Sequence, residues 1–165
     1  MKAETVIKVG MADLNVSFDR HPLRTTGLGS CVGVTLYDPS TKKAGMIHVM
    51  LPSSDIARDG AVNKAKYADT GIYELVRRME EHGTTVRKLQ AKMAGGAQMF
   101  AFAANGGDLM RIGPRNVESC KIWLDHLQIP LIAEDTGGNY GRTIEFDPET
   151  GILHIRSIQH GTKEL

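Results

Sequence analysis

The stretch Thr25–Val34 reads TTGLGSCVGV and sets Cys31, one of two cysteines in the chain, among three glycines and three hydroxyl side chains. A thiol of reference pKa about 8.5 is mostly protonated at neutral pH, so a nucleophilic cysteine needs a base or a positive charge beside it. His48, in GMIHVMLP, is the candidate base. A threonine oxygen at Thr25 or Thr26 could accept the second imidazole N–H and fix the tautomer. Exposed backbone N–H groups near Cys31 could hold an oxyanion. Each residue also has a plainer use: Cys31 as a packing residue, the glycines as a tight turn, His48 as a satisfied core histidine, and the threonines as ordinary strand residues. Gly27-Leu28-Gly29 resembles the start of a dinucleotide fingerprint, but the sixth position is Val32 and a strand follows, not a helix.

The chemistry depends on the elements that position it. Cys31–Tyr37 is rich in Val, Thr and Tyr and reads as a strand. Asp38–Lys43 supplies turn residues, and Ala44–Leu51 reads as the returning strand, ended by Pro52. Alternation puts Met46, His48 and Met50 on one face and Ile47, Val49 and Leu51 on the other. In an antiparallel hairpin the Cys31 end runs beside the His48 end. The two side chains share a face only if paired residue numbers sum to an odd value, a register that the sequence permits but does not fix. The second cysteine, Cys120, lies on an apolar helix face with Val117 and Leu124 and reads as a small core residue. His82 and His126 fall at helix ends, His154 in a late strand, and His21 and His160 in loops.

The remaining pattern supplies the scaffold. Thr5–Val9 and Leu14–Phe18 are strand-like. Asn63–His82 reads as a helix burying Ala68, Ile72, Leu75, Val76 and Met79, with Gly83 at its C-terminal cap. Val86–Ala94 alternates as a strand. Pro114 opens a second helix that presents Val117, Cys120, Leu124 and Leu127 and stops before Pro130. Leu131–Glu134, Arg142–Phe146 and Ile152–Ile158 complete the strands. This order predicts an α/β class: a compact layered sandwich with a mixed, largely antiparallel sheet and two main helices, forming one domain over residues 1–165. Strict β-α-β alternation is absent, which argues against a Rossmann domain.

Composition narrows the function. Hydrophobic residues make up 41%, charged residues 24%, and the formal charge is +1, so no basic surplus argues for nucleic acid. The sequence shows no secretory signal and no long apolar span, so the expected compartment is the cytoplasm, without membrane insertion. The cysteines do not form a disulfide framework and no zinc-ligand spacing occurs; neither a metal nor a cofactor is expected. Glycine is enriched, at 18 residues, with clusters that mark tight turns or close backbone approach. Phe100 and Phe102 read as core packing or as part of a protein-binding surface.

Seven stretches, GMADLNV, LRTTGLGSCVGVTLYDP, GMIHVMLP, KYADTGI, AKMAGGAQMF, IGPRNV and DTGGNYGRTIEFDPETG, resemble in order the CheD family of chemoreceptor glutamine deamidases. The likeness runs from Val9 to Ile158. It implies a compact α/β sandwich similar to the catalytic domains of deamidating toxins. It also implies a Cys-His-Thr triad of Cys31, His48 and Thr25, with backbone N–H groups around Gly29 and Ser30 at the oxyanion. The implied reaction hydrolyses glutamine side chains on the cytoplasmic helices of chemoreceptors to glutamate and ammonia. A CheC-type phosphatase is the implied protein partner. The alternatives are a non-catalytic module that regulates such a phosphatase, a redox-sensing thiol protein, and hydrolysis of receptor glutamyl methyl esters by the same triad.

Overall fold

The structure is a computed structural model that describes residues 5–56, 63–99 and 111–165. Its strands are β1 (Ile7–Lys8), β2 (Leu14–Ser17), β3 (Leu23–Leu28), β4 (Val32–Asp38), β5 (Lys43–Val49), β6 (Gln90–Gly95), β7 (Leu131–Thr136), β8 (Arg142–Asp147), β9 (Ile152–Ser157) and β10 (Gly161–Glu164). Its helices are α1 (Ala68–Glu81) and α2 (Ile112–His126). One five-stranded sheet runs β1-β3-β8-β9-β10 and the other β2-β5-β4-β6-β7. Among the described strands, pairing is antiparallel except at β1–β3 and β6–β7. The class is therefore α/β, a layered sandwich as expected, with two sheets where the sequence suggested one.

The layers follow from which faces are apolar. Every residue of β4 is buried, the mark of a central strand covered on both sides. Its Val32, Val34 and Leu36 join Ile47 and Val49 of β5 against Ile72, Leu75 and Met79 of α1 and Cys120 and Leu124 of α2. On the opposite face Tyr37, Ala44, Met46 and Ala94 meet Leu23, Leu28, Ile144, Phe146, Leu153 and Ile155 of the other sheet. Gly45 lets the first helix come close, since a Cβ there would stand 2.7 Å from Leu75 Cδ1.

The β4–β5 hairpin forms where turn chemistry favours it. Asp38 Oδ1 accepts from the Ser40 N–H at 2.9 Å and from the Ser40 hydroxyl at 2.6 Å, an Asx turn that reverses the chain. The first helix starts later than its pattern suggests. Asn63 caps a short 3-10 turn, Lys64–Lys66, and the α-helix begins only at Ala68. The predicted strand from Val86 likewise begins with a 3-10 turn, Val86–Lys88, before β6. In α2, Pro114 is the third helical residue, still in the first turn, where an N–H has no intrahelical acceptor to lose.

Candidate active site

The site lies between the sheets, and its parts come from both. β3 pairs in register with β8 at Thr25↔Ile144, then shifts register before Leu28↔Arg142. Alternation with Leu23 turns Thr25 inward and Thr26 outward, and the irregularity that follows leaves Gly27 exposed as well. Thr25 Oγ1 lies 2.7 Å from His48 Nδ1 on the facing sheet. The sequence left two threonines open; only Thr25 turns inward to the histidine.

The hairpin register sets Gly33 opposite His48 and Val32 opposite Val49. Each pair sums to 81, an odd value, so the face of His48 is also the face of Cys31. Cys31 immediately precedes β4, and it joins Ala44 and Met46 in the cluster that lies between the sheets on that face. Gly33 keeps the space beneath the histidine open for the facing sheet: a Cβ there would lie 2.5 Å from Ile144 Cδ1. His48 is fully buried, while Cys31 retains 8% of its surface. Among the described residues His48 Nε2 has no hydrogen-bond partner.

The loop that carries Cys31 is held from one side. The Ala97 N–H donates to the Gly29 carbonyl and the Gly96 N–H to the Cys31 carbonyl, each at 2.8 Å. From α2, the fully buried Asn116 donates through Nδ2 to the Ser30 carbonyl at 3.0 Å and to the Met50 carbonyl at 2.9 Å. Gly95 has φ +109°, and a Cβ on it would meet the Cys31 carbonyl oxygen at 2.3 Å. The Gly29 N–H is already donated to the Gly27 carbonyl at 3.0 Å. A cleft of about 540 Å³ is lined by Gly27 near the end of β3, with Met99, Tyr140 and Arg142.

Burial sets the protonation states. It raises the Cys31 thiol above its usual value and lowers His48 to about 4. The desolvated pair therefore rests as neutral thiol and neutral imidazole at pH 7, suited to proton transfer during attack rather than to a standing thiolate. If Nδ1–H donates to Thr25, Nε2 holds a lone pair on the face that Cys31 shares. Cys120, fully buried, has its thiol pushed up to about 12, consistent with a core role.

The other candidates lie apart from this group. His82 stacks on Phe18 at 4.3 Å, His126 meets the Trp123 ring edge at 5.3 Å, and His160 lies over Tyr140 at 4.1 Å. Phe100 and Phe102 fall outside the described residues. Asn116 is the contact residue that the sequence reading did not single out. Its signal was available: an asparagine four and eight residues before Cys120 and Leu124, on the same apolar face.

Comparison with known proteins places these features in context. A family model described as CheD chemotactic sensory transduction matches residues 50–157. The chain is 57% identical over 160 residues to a chemoreceptor glutamine deamidase CheD of Halalkalibacterium halodurans, covering 97% of this chain and 98% of that protein. It is 48% identical over 160 residues to the protein of the same name from Bacillus subtilis, covering 97% and 96%. It is 52% identical over all 165 residues to a probable chemoreceptor glutamine deamidase CheD of Geobacillus kaustophilus, covering 100% of both. A solved structure of a hypothetical protein YfiH from Bacillus licheniformis aligns with 77% of this chain and 51% of its own, at 14% identity and a TM-score of 0.45.

Proposed function

The chain belongs to the CheD family, and on that premise we propose that it deamidates glutamine side chains of chemoreceptors, with Cys31 as nucleophile, His48 as general base and acid, and Thr25 orienting the imidazole. The relatives named chemoreceptor glutamine deamidase support the reaction and its substrate. The observation that carries the residue assignment is the 2.7 Å contact between Thr25 Oγ1 and His48 Nδ1. It ties one ring nitrogen down and leaves Nε2 without a protein partner among the described residues.

The steps follow from these groups. Thr25 accepts the Nδ1–H bond, so Nε2 takes the thiol proton as Sγ attacks the amide carbon. The carbonyl π electrons move to oxygen, and backbone N–H groups of the Gly29–Cys31 loop stabilise that oxyanion. The tetrahedral adduct collapses, its C–N bond breaks, and the imidazolium protonates the departing ammonia. A thioester remains. His48 then takes a proton from water as the water oxygen attacks the thioester, the C–S bond breaks, the imidazolium returns that proton to the departing sulfur, and glutamate leaves with the free thiol restored. General acid–base assistance of this kind contributes about 10²–10⁴ in rate.

Acting on receptor cytoplasmic helices puts the protein in the cytoplasm; among the described residues no helix is long and apolar enough to cross a membrane. Binding to a CheC-type phosphatase fits beside this activity as regulation. As the sole role it would give no use to a buried histidine paired across two sheets. The test is ammonia release and peptide mass spectrometry on a receptor cytoplasmic fragment. Glutamine-to-glutamate conversion by wild type, lost in Cys31→Ala, is the expected result. No conversion by folded wild type, or equal conversion by the variant, would contradict the proposal.

A further inference from the structure

Three successive carbonyls of the nucleophile loop are anchored: Gly29 by the Ala97 N–H, Ser30 by Asn116 Nδ2 and Cys31 by the Gly96 N–H. In a trans peptide the C=O of one residue and the N–H of the next point in opposite directions, and no described peptide is cis. Pinning the Gly29 carbonyl toward Ala97 therefore turns the Ser30 N–H the other way. Pinning the Ser30 carbonyl toward Asn116 turns the Cys31 N–H away from α2. Among the described residues, neither of these N–H groups donates to a backbone carbonyl outside the sheet ladders, whereas that of Gly29 is taken by Gly27.

Asn116 is poorly explained by packing. It is fully buried on the apolar face of α2, and its Oδ1 has no partner among the described residues. A buried polar atom without a partner is uncommon and costs stability. The amide orientation is fixed by its surroundings, because only the NH₂ can donate to two carbonyls. Its two bonds join the residue before Cys31 to the residue two beyond His48.

We infer that Asn116 is a positioning residue of the reaction: it holds the Ser30–Cys31 peptide plane so that the Cys31 N–H, beside the Ser30 N–H, faces the oxyanion of the tetrahedral adduct. The same amide fixes the end of β5 relative to the loop. This role rests on the amide-hydrolysis reading above.

The test compares wild type with Asn116→Ala, Asn116→Ser and Ser119→Ala. Ser119 lies on the same helix and donates to the Pro52 carbonyl at 2.7 Å, so its loss removes a helix-to-loop bond that does not touch the Cys31 loop. Four quantities are read: kcat and KM for ammonia release from a receptor cytoplasmic fragment, the rate of Cys31 alkylation by iodoacetamide, and the melting temperature. Alkylation is a displacement at carbon that builds no oxyanion, so it separates the thiol's environment from the oxyanion donors. Removing an oxyanion donor costs about 10²–10³ in kcat, so misaiming one in Asn116→Ala should cost about 10–100-fold, with KM and alkylation changed by less than about threefold. Asn116→Ser keeps one donor and should fall between that variant and wild type. Ser119→Ala should keep its kcat. Full kcat in a folded Asn116→Ala or Asn116→Ser variant, or alkylation falling in step with kcat, would overturn the inference. Should Asn116→Ala fail to fold, Asn116→Ser reads the same split. A wild type that releases no ammonia overturns the deamidase reading and this role with it; an active wild type with indifferent Asn116 variants overturns this role alone.

Discussion

Thr25 Oγ1 and His48 Nδ1 lie 2.7 Å apart, and their bond crosses from one sheet to the other. It depends on two local features: the alternation of β3 that turns Thr25, like Leu23, inward and Thr26 out, and Gly33 opposite His48, which admits Ile144.

Thr25→Ala leaves a buried imidazole nitrogen without its partner and frees the tautomer. kcat should fall by about 10–100-fold, within the range of a general acid–base contribution, and stability by about 1–3 kcal/mol for a buried group left unsatisfied. Thr25→Ser should recover most of the rate, and Thr26→Ala should be silent. Steady-state ammonia release and denaturant titration check these outcomes; equal effects at both threonines would speak against the orienting role.

The pH profile of the free enzyme should be broad. His48, lowered to about 4 by burial, is an available base from about pH 5 upward, and Cys31, raised by burial, stays a thiol past its ordinary value. kcat/KM should therefore be flat through neutrality, with an acid limb near pH 4 and no inflection near 6.5. Stability carries the matching sign. Between pH 6.5 and about 4 the unfolded chain binds a proton at His48 that the native chain refuses, so stability drops as pH falls through that window. A melting temperature that His48→Gln leaves equally sensitive to pH there would contradict this.

Backbone closeness around Cys31 predicts a contrast among glycines. Gly95→Ala would drive a Cβ into the Cys31 carbonyl at 2.3 Å with φ +109°, while Gly27, at φ +72°, has open space around it. Gly95→Ala should abolish activity and lower stability by several-fold more than Gly27→Ala, whose cost is confined to conformational strain of about 1–2 kcal/mol. Paired melting curves and rates check the ordering.

Much of this arrangement can be read from the sequence, and the exceptions have physical causes. The hairpin is legible because Asp38–Lys43 carries turn residues between two runs of strand-forming residues, and α1 because its apolar period is strong. The register is not, since turn type and the facing sheet decide it; Gly33 against Ile144 belongs to the second kind. β3 was obscured because its Thr25–Leu28 irregularity and Gly27 read as a turn, and β10 because all its residues are exposed and lack an apolar face. The redundancy of Thr25 and Thr26 could be resolved only by tertiary contact. Asn116 is hard to see because a polar residue in a helix reads as surface unless its face is traced to Cys120 and Leu124.

Cysteine reactivity separates the catalytic reading from a two-thiol redox device. With Cys120 fully buried and its thiol pushed up to about 12, native protein should react with a thiol reagent only at Cys31, and Cys120→Ala should leave that rate unchanged. Rapid labelling of both cysteines in the native state would favour the redox alternative.

The central claim is that the Cys31 sulfur becomes covalently joined to the substrate's glutamyl carbon. Its most direct test is rapid acid quenching of enzyme mixed with a receptor cytoplasmic fragment, followed by mass mapping of the adduct. The predicted result is a hydroxylamine-sensitive thioester on Cys31 during turnover, with neither adduct nor turnover in Cys31→Ala. Turnover that persists in that variant, with no adduct in wild type, would contradict the account.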